Sequence, residues 1–129
     1  MRRRRPATVC SLAWLIVIAL ALAGCESAPF VGTGQAATRT FDVPLSRVKR
    51  ASVSALGGMR ATLHEMRKTG TSEVIVGRTA SRSIEIELEP LARGGTRMRV
   101  LAREGAFAYD DAMAAEIIRR VEKLLADSS

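Results

Sequence analysis

The segment 83–89 limits the fold more than any other stretch, because its side chains alternate strictly between apolar and polar. Ile84, Ile86 and Leu88 occupy every second position, and Ser83 and glutamates occupy the positions between them. A period of two is typical of a β-strand with one buried face. The chain must therefore build a sheet whose apolar face packs against other elements.

The segment 96–102 supplies a partner for this strand. Arg93, Gly94 and Gly95 predict a turn after Pro90, and a hairpin centred near Arg93 fixes which residues face each other. The opposed pairs are Glu87 with Arg99, Glu89 with Arg97, Leu88 with Met98, and Ile86 with Val100. Alternating carboxylates are also compatible with a cation site or an acid–base pair, but the facing arginines favour a solvated ladder of ion pairs.

Two helices flank the strands in the sequence. Apolar residues recur at helical spacing from Pro44 until Gly57 and Gly58 supply a stop. A second helix begins after Asp110, a predicted N-cap, with Glu116 and Arg120 as a pair on its polar side. Its apolar stripe comprises Met113, Ala114, Ile117, Ile118, Val121, Leu124 and Leu125.

Further strands are predicted over 39–43, 59–66 and 73–79, with a loop over 103–109. The fold class is therefore α+β, with the order βαββββα. We expect a two-layer sandwich in which an antiparallel sheet of about five strands carries two helices on one face.

The N-terminal 24 residues have the organisation of a secretory signal peptide. Arg2 to Arg5 precede an apolar run over 12–23 that ends in small residues. The apolar stretch is shorter than the roughly 20 residues of a membrane-spanning helix. An uncleaved anchor and an ordinary cleaved signal with a free cysteine remain alternatives.

The residues Leu22, Ala23, Gly24 and Cys25 resemble the lipobox of bacterial lipoproteins. The resemblance implies cleavage before Cys25, addition of a diacylglyceryl group to its thiol, and anchoring to a membrane through acyl chains. Glu26 at the next position implies sorting to the outer membrane, facing the periplasm. Residues 25–38 then form a lipidated flexible linker, and 39–129 form a single small domain.

Composition argues against several kinds of partner and site. The predicted mature chain has 16 basic and 13 acidic residues, a net charge of only +3, so a nucleic-acid partner is not expected. Cys10 leaves with the signal and Cys25 carries lipid, so neither is available for a metal or a disulfide. His64 is the only histidine and is interpreted as a structural or surface residue. We expect no cofactor, no metal and no enzyme activity.

Arg47, Lys49 and Arg50 form a basic cluster on the first helix. Each such residue near an anionic surface contributes about 1 kcal/mol of binding, so lipid head groups or cell-wall carboxylates are candidate contacts. The alternative is an ordinary solvated helix face.

The segment 41–125 resembles a family of small bacterial envelope lipoproteins of unknown function. Matching positions are Val48, Ala51, Ile84, Ile86, Leu88, Thr96, Val100, Asp110 and Ile117. The leading hypothesis is a non-enzymatic interaction or assembly module that engages another envelope protein. The alternative is a carrier or sensor of a lipid or other apolar ligand held between sheet and helices, suggested by Met59, Met66, Met98 and Met113.

Overall fold

Six strands and two helices make up residues 36–129, the part of the chain that the structure, a computed structural model, describes. In chain order they are β1 (Ala37–Phe41), α1 (Leu45–Gly58), β2 (Thr62–Thr69), β3 (Ser72–Arg78), β4 (Arg82–Pro90), β5 (Thr96–Glu104), β6 (Ala108–Tyr109) and α2 (Asp111–Asp127). The strands form one open antiparallel sheet in the order β1-β5-β4-β3-β2, and β6 pairs with the end of β5. The predicted α+β class and element order are confirmed, except that β6 lies in the predicted loop.

The predicted signal peptide and lipobox lie outside the described residues, as does the linker up to residue 35. Within residues 36–129, neither helix combines the length and the hydropathy needed to cross a bilayer.

Both helices cover the same face of the sheet. The sheet contributes Ile75, Ile84, Ile86, Leu88, Met98, Val100 and Ala102 to the core. The helices contribute Val48, Ala51, Ala55, Leu56, Ala114, Ile117, Val121 and Leu125. The other face of the sheet has no helix against it among the described elements, so the domain has two layers and one open sheet face.

The hairpin of β4 and β5 has the predicted register. Glu87 pairs with Arg99, Leu88 with Met98, and Glu89 with Arg97. The ion pairs form as expected, with 3.5 Å between Glu87 Oε2 and Arg99 Nη1 and 2.9 Å between Glu89 Oε2 and Arg97 Nη1. Alternating charge on one face and alternating aliphatic residues on the other are therefore sufficient to fix the pairing of these two strands.

The first strand lies two residues earlier than the predicted 39–43. It ends at Phe41, which pairs with Thr96 at the start of β5. Thr96 is fully buried, and its hydroxyl donates to the carbonyl of Val43 at 2.9 Å. The carbonyl of Val43 is therefore satisfied by a side chain, outside the strand.

The first helix ends later than its glycines predict. Gly57 and Gly58 are its last two residues, and the left-handed position is occupied by Arg60 at φ 57°. The Ala61 N–H donates to the Leu56 carbonyl at 3.0 Å and the Arg60 N–H to the Gly57 carbonyl at 3.0 Å, the two hydrogen bonds of a Schellman motif.

The next strand consequently begins later than predicted. The sequence favours a strand over 59–66, but residues 59–61 form the C-terminal cap that follows α1, and β2 runs from Thr62 to Thr69. A bulge between Leu63 and Glu65 leaves His64 as the extra residue. The apparent alternation of Met59, Ala61 and Leu63 is therefore not the alternation of a strand.

Replacement of Arg60 by glycine is expected to stabilise the domain by about 0.5–1 kcal/mol. A left-handed conformation costs a non-glycine residue about 1–2 kcal/mol, part of which is offset by the larger unfolded-state entropy of glycine. The free energy of unfolding from urea denaturation measures the effect. As a matched control, Arg50→Gly in the exposed interior of α1 should destabilise by about 1 kcal/mol. A loss of stability in Arg60→Gly would contradict the interpretation.

Candidate functional site

The three residues of the predicted basic cluster do not lie together. Arg47 and Arg50, one helical turn apart, line a groove between α1 and α2. Lys49 points to the sheet instead, and its Nζ lies 2.5 Å from Oε2 of Glu73 on β3. Only Arg47 and Arg50 are placed to contact an anionic surface jointly.

The groove between the helices has a volume of about 380 Å³. Its walls are formed by Arg47, Arg50, Ala51, Ser54, Leu124, Leu125 and Ser128. The Arg47 guanidinium donates to the Ser128 carbonyl at 3.2 Å and to the Ser128 hydroxyl at 3.1 Å. The Arg47 side chain is therefore engaged with the C-terminus of α2.

The N-terminus of α2 is held by Asp110, as the sequence predicts. The Asp110 carboxylate accepts a hydrogen bond from the Met113 N–H at 2.8 Å, and Arg82 of β4 binds its other oxygen. The Met113 hydrogen bond and then the Arg82 pair lower the pKa of Asp110. The Arg82 contact was not predicted, because nothing local to Asp110 in the sequence points to a residue 28 positions earlier.

Loss of this cap should make the domain less stable and less sensitive to acid. Asp110→Ala is expected to cost about 0.5–2 kcal/mol at pH 7, whereas Asp110→Asn, which keeps a capping oxygen, should cost less. Folding lowers the pKa of Asp110. The charge therefore stabilises the domain fully when the pH is above the ordinary pKa of an aspartate, near 4, and this stabilisation is lost as the pH falls through the pKa of the folded state. Urea denaturation from pH 7 to pH 2.5 should show the gap between wild type and Asp110→Ala narrowing below pH 4. A constant gap would contradict the role of the charge.

The open face of the sheet is left uncovered by both described helices. Arginines of β5 alternate with glutamates of β4 across it, and Val74, Val76 and Leu101 lie between them. Val74, which lies between Arg67 of β2 and Glu87 of β4, is only 6% exposed although neither described helix covers it. The surface therefore combines a small apolar centre with a charged frame.

Strand β6 extends this face at one end. Tyr109 pairs with Arg103 of β5, and the Arg103 guanidinium lies 5.3 Å from the centroid of the Tyr109 ring. This cation–π contact was missed because the segment 103–109 has no strand periodicity. The phenol ring is about half exposed and is available to a partner.

Strand β2 forms an edge of the sheet, and all eight of its residues are exposed. Leu63 and Met66 are 42% and 51% exposed, although they point to the same side of the sheet as the core residues Gly77 and Ile75 opposite them. Glu65 and Arg67 lie on the open face, with 3.3 Å between Oε2 and Nη1. The edge therefore carries free backbone groups, two exposed apolar side chains and one pair of opposite charges.

The other candidate residues do not converge. His64 is exposed at the bulge of β2, and within residues 36–129 no group of three His, Cys, Asp or Glu side chains is placed to hold a metal ion. Met98 is fully buried, Met59 and Met113 are partly buried against the core, and Met66 is half exposed on β2. The four methionines thus occupy different environments.

No protein-family model matches this chain, and no curated protein is significantly similar to it. The resemblance to small envelope lipoproteins, like lipidation of Cys25 after Leu22, Ala23 and Gly24, therefore stays a prediction from the sequence.

Proposed function

We propose that this protein is a lipid-anchored lipoprotein of the bacterial outer membrane, and that it faces the periplasm as a non-enzymatic interaction or assembly module. The N-terminal sequence supports the anchoring, because an arginine-rich start, an apolar run and Leu22-Ala23-Gly24-Cys25 occur in the order that lipoprotein processing requires. Two or more acyl chains on Cys25 would hold the domain stably at the bilayer surface.

The open sheet face is the observation that carries the interaction role. Charged residues frame Val74 and Leu101, and the exposed ring of Tyr109 lies at one end of the same face. An apolar centre, a polar rim and an available aromatic side chain are features of protein interfaces. The arginines and glutamates on this face would select a partner by charge complementarity.

Metabolic labelling with an alkyne fatty acid tests the anchor. Wild type and Cys10→Ala should incorporate label and sediment with the membranes, because Cys10 leaves with the signal. Cys25→Ala should lose both the label and the sedimentation. An unlabelled wild-type chain that stays in the aqueous fraction would overturn the proposal.

Photo-crosslinking in intact envelopes tests the interaction role. A photoreactive residue at Leu101, on the open face, should give a discrete adduct with an envelope protein. The same residue at Leu124, exposed on α2, is the matched control and should not give that adduct. Adducts with lipid alone at both positions would refute the open face as the interacting surface.

A further inference from the structure

The edge strand β2 has a charge pattern that is complementary to itself. Glu65 and Arg67 carry opposite charges two positions apart on the open face, with Met66 between them on the opposite face. If two copies of this strand pair antiparallel about Met66, Glu65 of each copy faces Arg67 of the other. Opposite charges directly across two strands stabilise the pairing, so this register gains two such contacts at once.

The backbone of β2 is oriented for the same register. Thr69 and Ser72 flank a two-residue turn whose first central residue, Gly70, has φ 63°, as in a type II′ turn. In such a turn the two flanking residues, Thr69 and Ser72, form a hydrogen-bonded pair. Because N–H and C=O groups alternate between the two sides of a strand, those of Met66 point away from β3 toward the free edge. Two Met66 residues can therefore exchange both of their backbone hydrogen bonds.

The side chains on the helix side of the sheet fit this arrangement. Met66 is 51% exposed, and a second Met66 would lie directly against it. In the same register Lys68, which is also on the helix side, would lie opposite the bulge residue His64 of the other copy. The pairing thus covers the exposed side chain of Met66, and across residues 64–68 no lysine or arginine of one copy lies opposite a lysine or arginine of the other.

We infer that β2 is a self-association surface: two copies of this chain pair antiparallel through their β2 strands about a two-fold axis at Met66 and join their sheets into one. Charged edge strands ordinarily resist pairing. Here the charges of Glu65 and Arg67 are matched when the strands pair about Met66, whereas a shift of two residues places Glu65 opposite Glu65 or Arg67 opposite Arg67. The inference goes beyond the proposed function and does not rest on it, because the pairing uses β2 and requires neither the lipid nor a partner protein on the open face.

Disulfide trapping of the full chain in permeabilised cells tests the register, with copper phenanthroline as the oxidant. In Met66→Cys the two Cα atoms would lie about 5.5 Å apart, within the range that a disulfide bridges, so a covalent dimer should form. Lys68→Cys, on the same side of the same strand, is the matched control. Its two copies would be offset by about 13 Å along the strand and should not crosslink. The wild-type chain reports any crosslinking through Cys10 or Cys25.

Charge substitutions in the Met66→Cys background test the ion pairs. Glu65→Arg places arginines opposite each other, and the yield of dimer should fall roughly tenfold. Adding Arg67→Glu to that variant restores opposite charges and should restore the dimer. Equal crosslinking at residues 66 and 68, failure of the double swap to restore the dimer, or an adduct with a different protein instead of a dimer would each overturn the inference. Failure of anchoring is detected separately, as loss of the fatty-acid label from the wild-type chain, and the comparison of residues 66 and 68 within one preparation does not depend on it.

Discussion

Leu56→Ala is expected to remove about 2–5 kcal/mol from the free energy of unfolding. Leu56 is 2% exposed in α1, and its Cδ1 lies 3.3 Å from the place where a Cβ on Gly77 of β3 would be. The Leu56 side chain thus packs against the backbone of β3 at Gly77. Alanine at position 56 would leave a cavity there, because the backbone of β3 cannot move to fill it. A small domain is stable by only about 5–15 kcal/mol, so this loss is a large share of the total.

Urea denaturation followed by circular dichroism measures this loss. Leu124→Ala is the matched control, because it removes the same atoms from a helix at a position that is 37% exposed. The control should cost less than about 1 kcal/mol, since surface substitutions have small effects. Similar losses in the two variants would mean that Leu56 is not a core residue.

Gly95→Ala is expected to destabilise the domain by about 1–3 kcal/mol, which is a typical cost of overpacking. A Cβ at Gly95 would lie 2.9 Å from the carbonyl oxygen of Phe41, at the end of β1. Because the contact is with backbone, no rotation of a side chain relieves it. The Gly95 carbonyl also accepts the Leu91 N–H at 2.8 Å, so the loop between β4 and β5 cannot move away without loss of that bond.

Gly57→Ala provides the matched control for Gly95→Ala. Apart from its own helical backbone and chain neighbours, no atom lies within 4 Å of a Cβ at Gly57, which is inside α1. Alanine there should stabilise the domain by about 1 kcal/mol, because its helix propensity exceeds that of glycine. Thermal unfolding would show the melting temperature falling in Gly95→Ala and rising in Gly57→Ala. A rise in both would contradict the close approach of β1 to the loop.

The parts of the fold that were predicted correctly depend on neighbours in sequence. The register of β4 and β5 follows from alternation within two adjacent strands and a short turn, and the Asp110 cap follows from its position one residue before α2. The exposed surfaces were predicted less well. Lys49 was grouped with Arg47 and Arg50 by sequence proximity, but its orientation toward Glu73 depends on how α1 crosses the sheet.

The sequence by itself determined the α+β class, the order of the main elements and the pairing of Glu87 with Arg99, because apolar periodicity and charge alternation act over a few residues. Tertiary structure alone decided that α1 includes Gly57 and Gly58 and is capped by a left-handed Arg60, since packing of Leu56 and Ala61 in the core sets the end of the helix. It also decided which strand forms the free edge. Edge position is a property of the assembled sheet. Among the strands of residues 36–129 only β3 pairs with β2, and no periodicity within β2 encodes this.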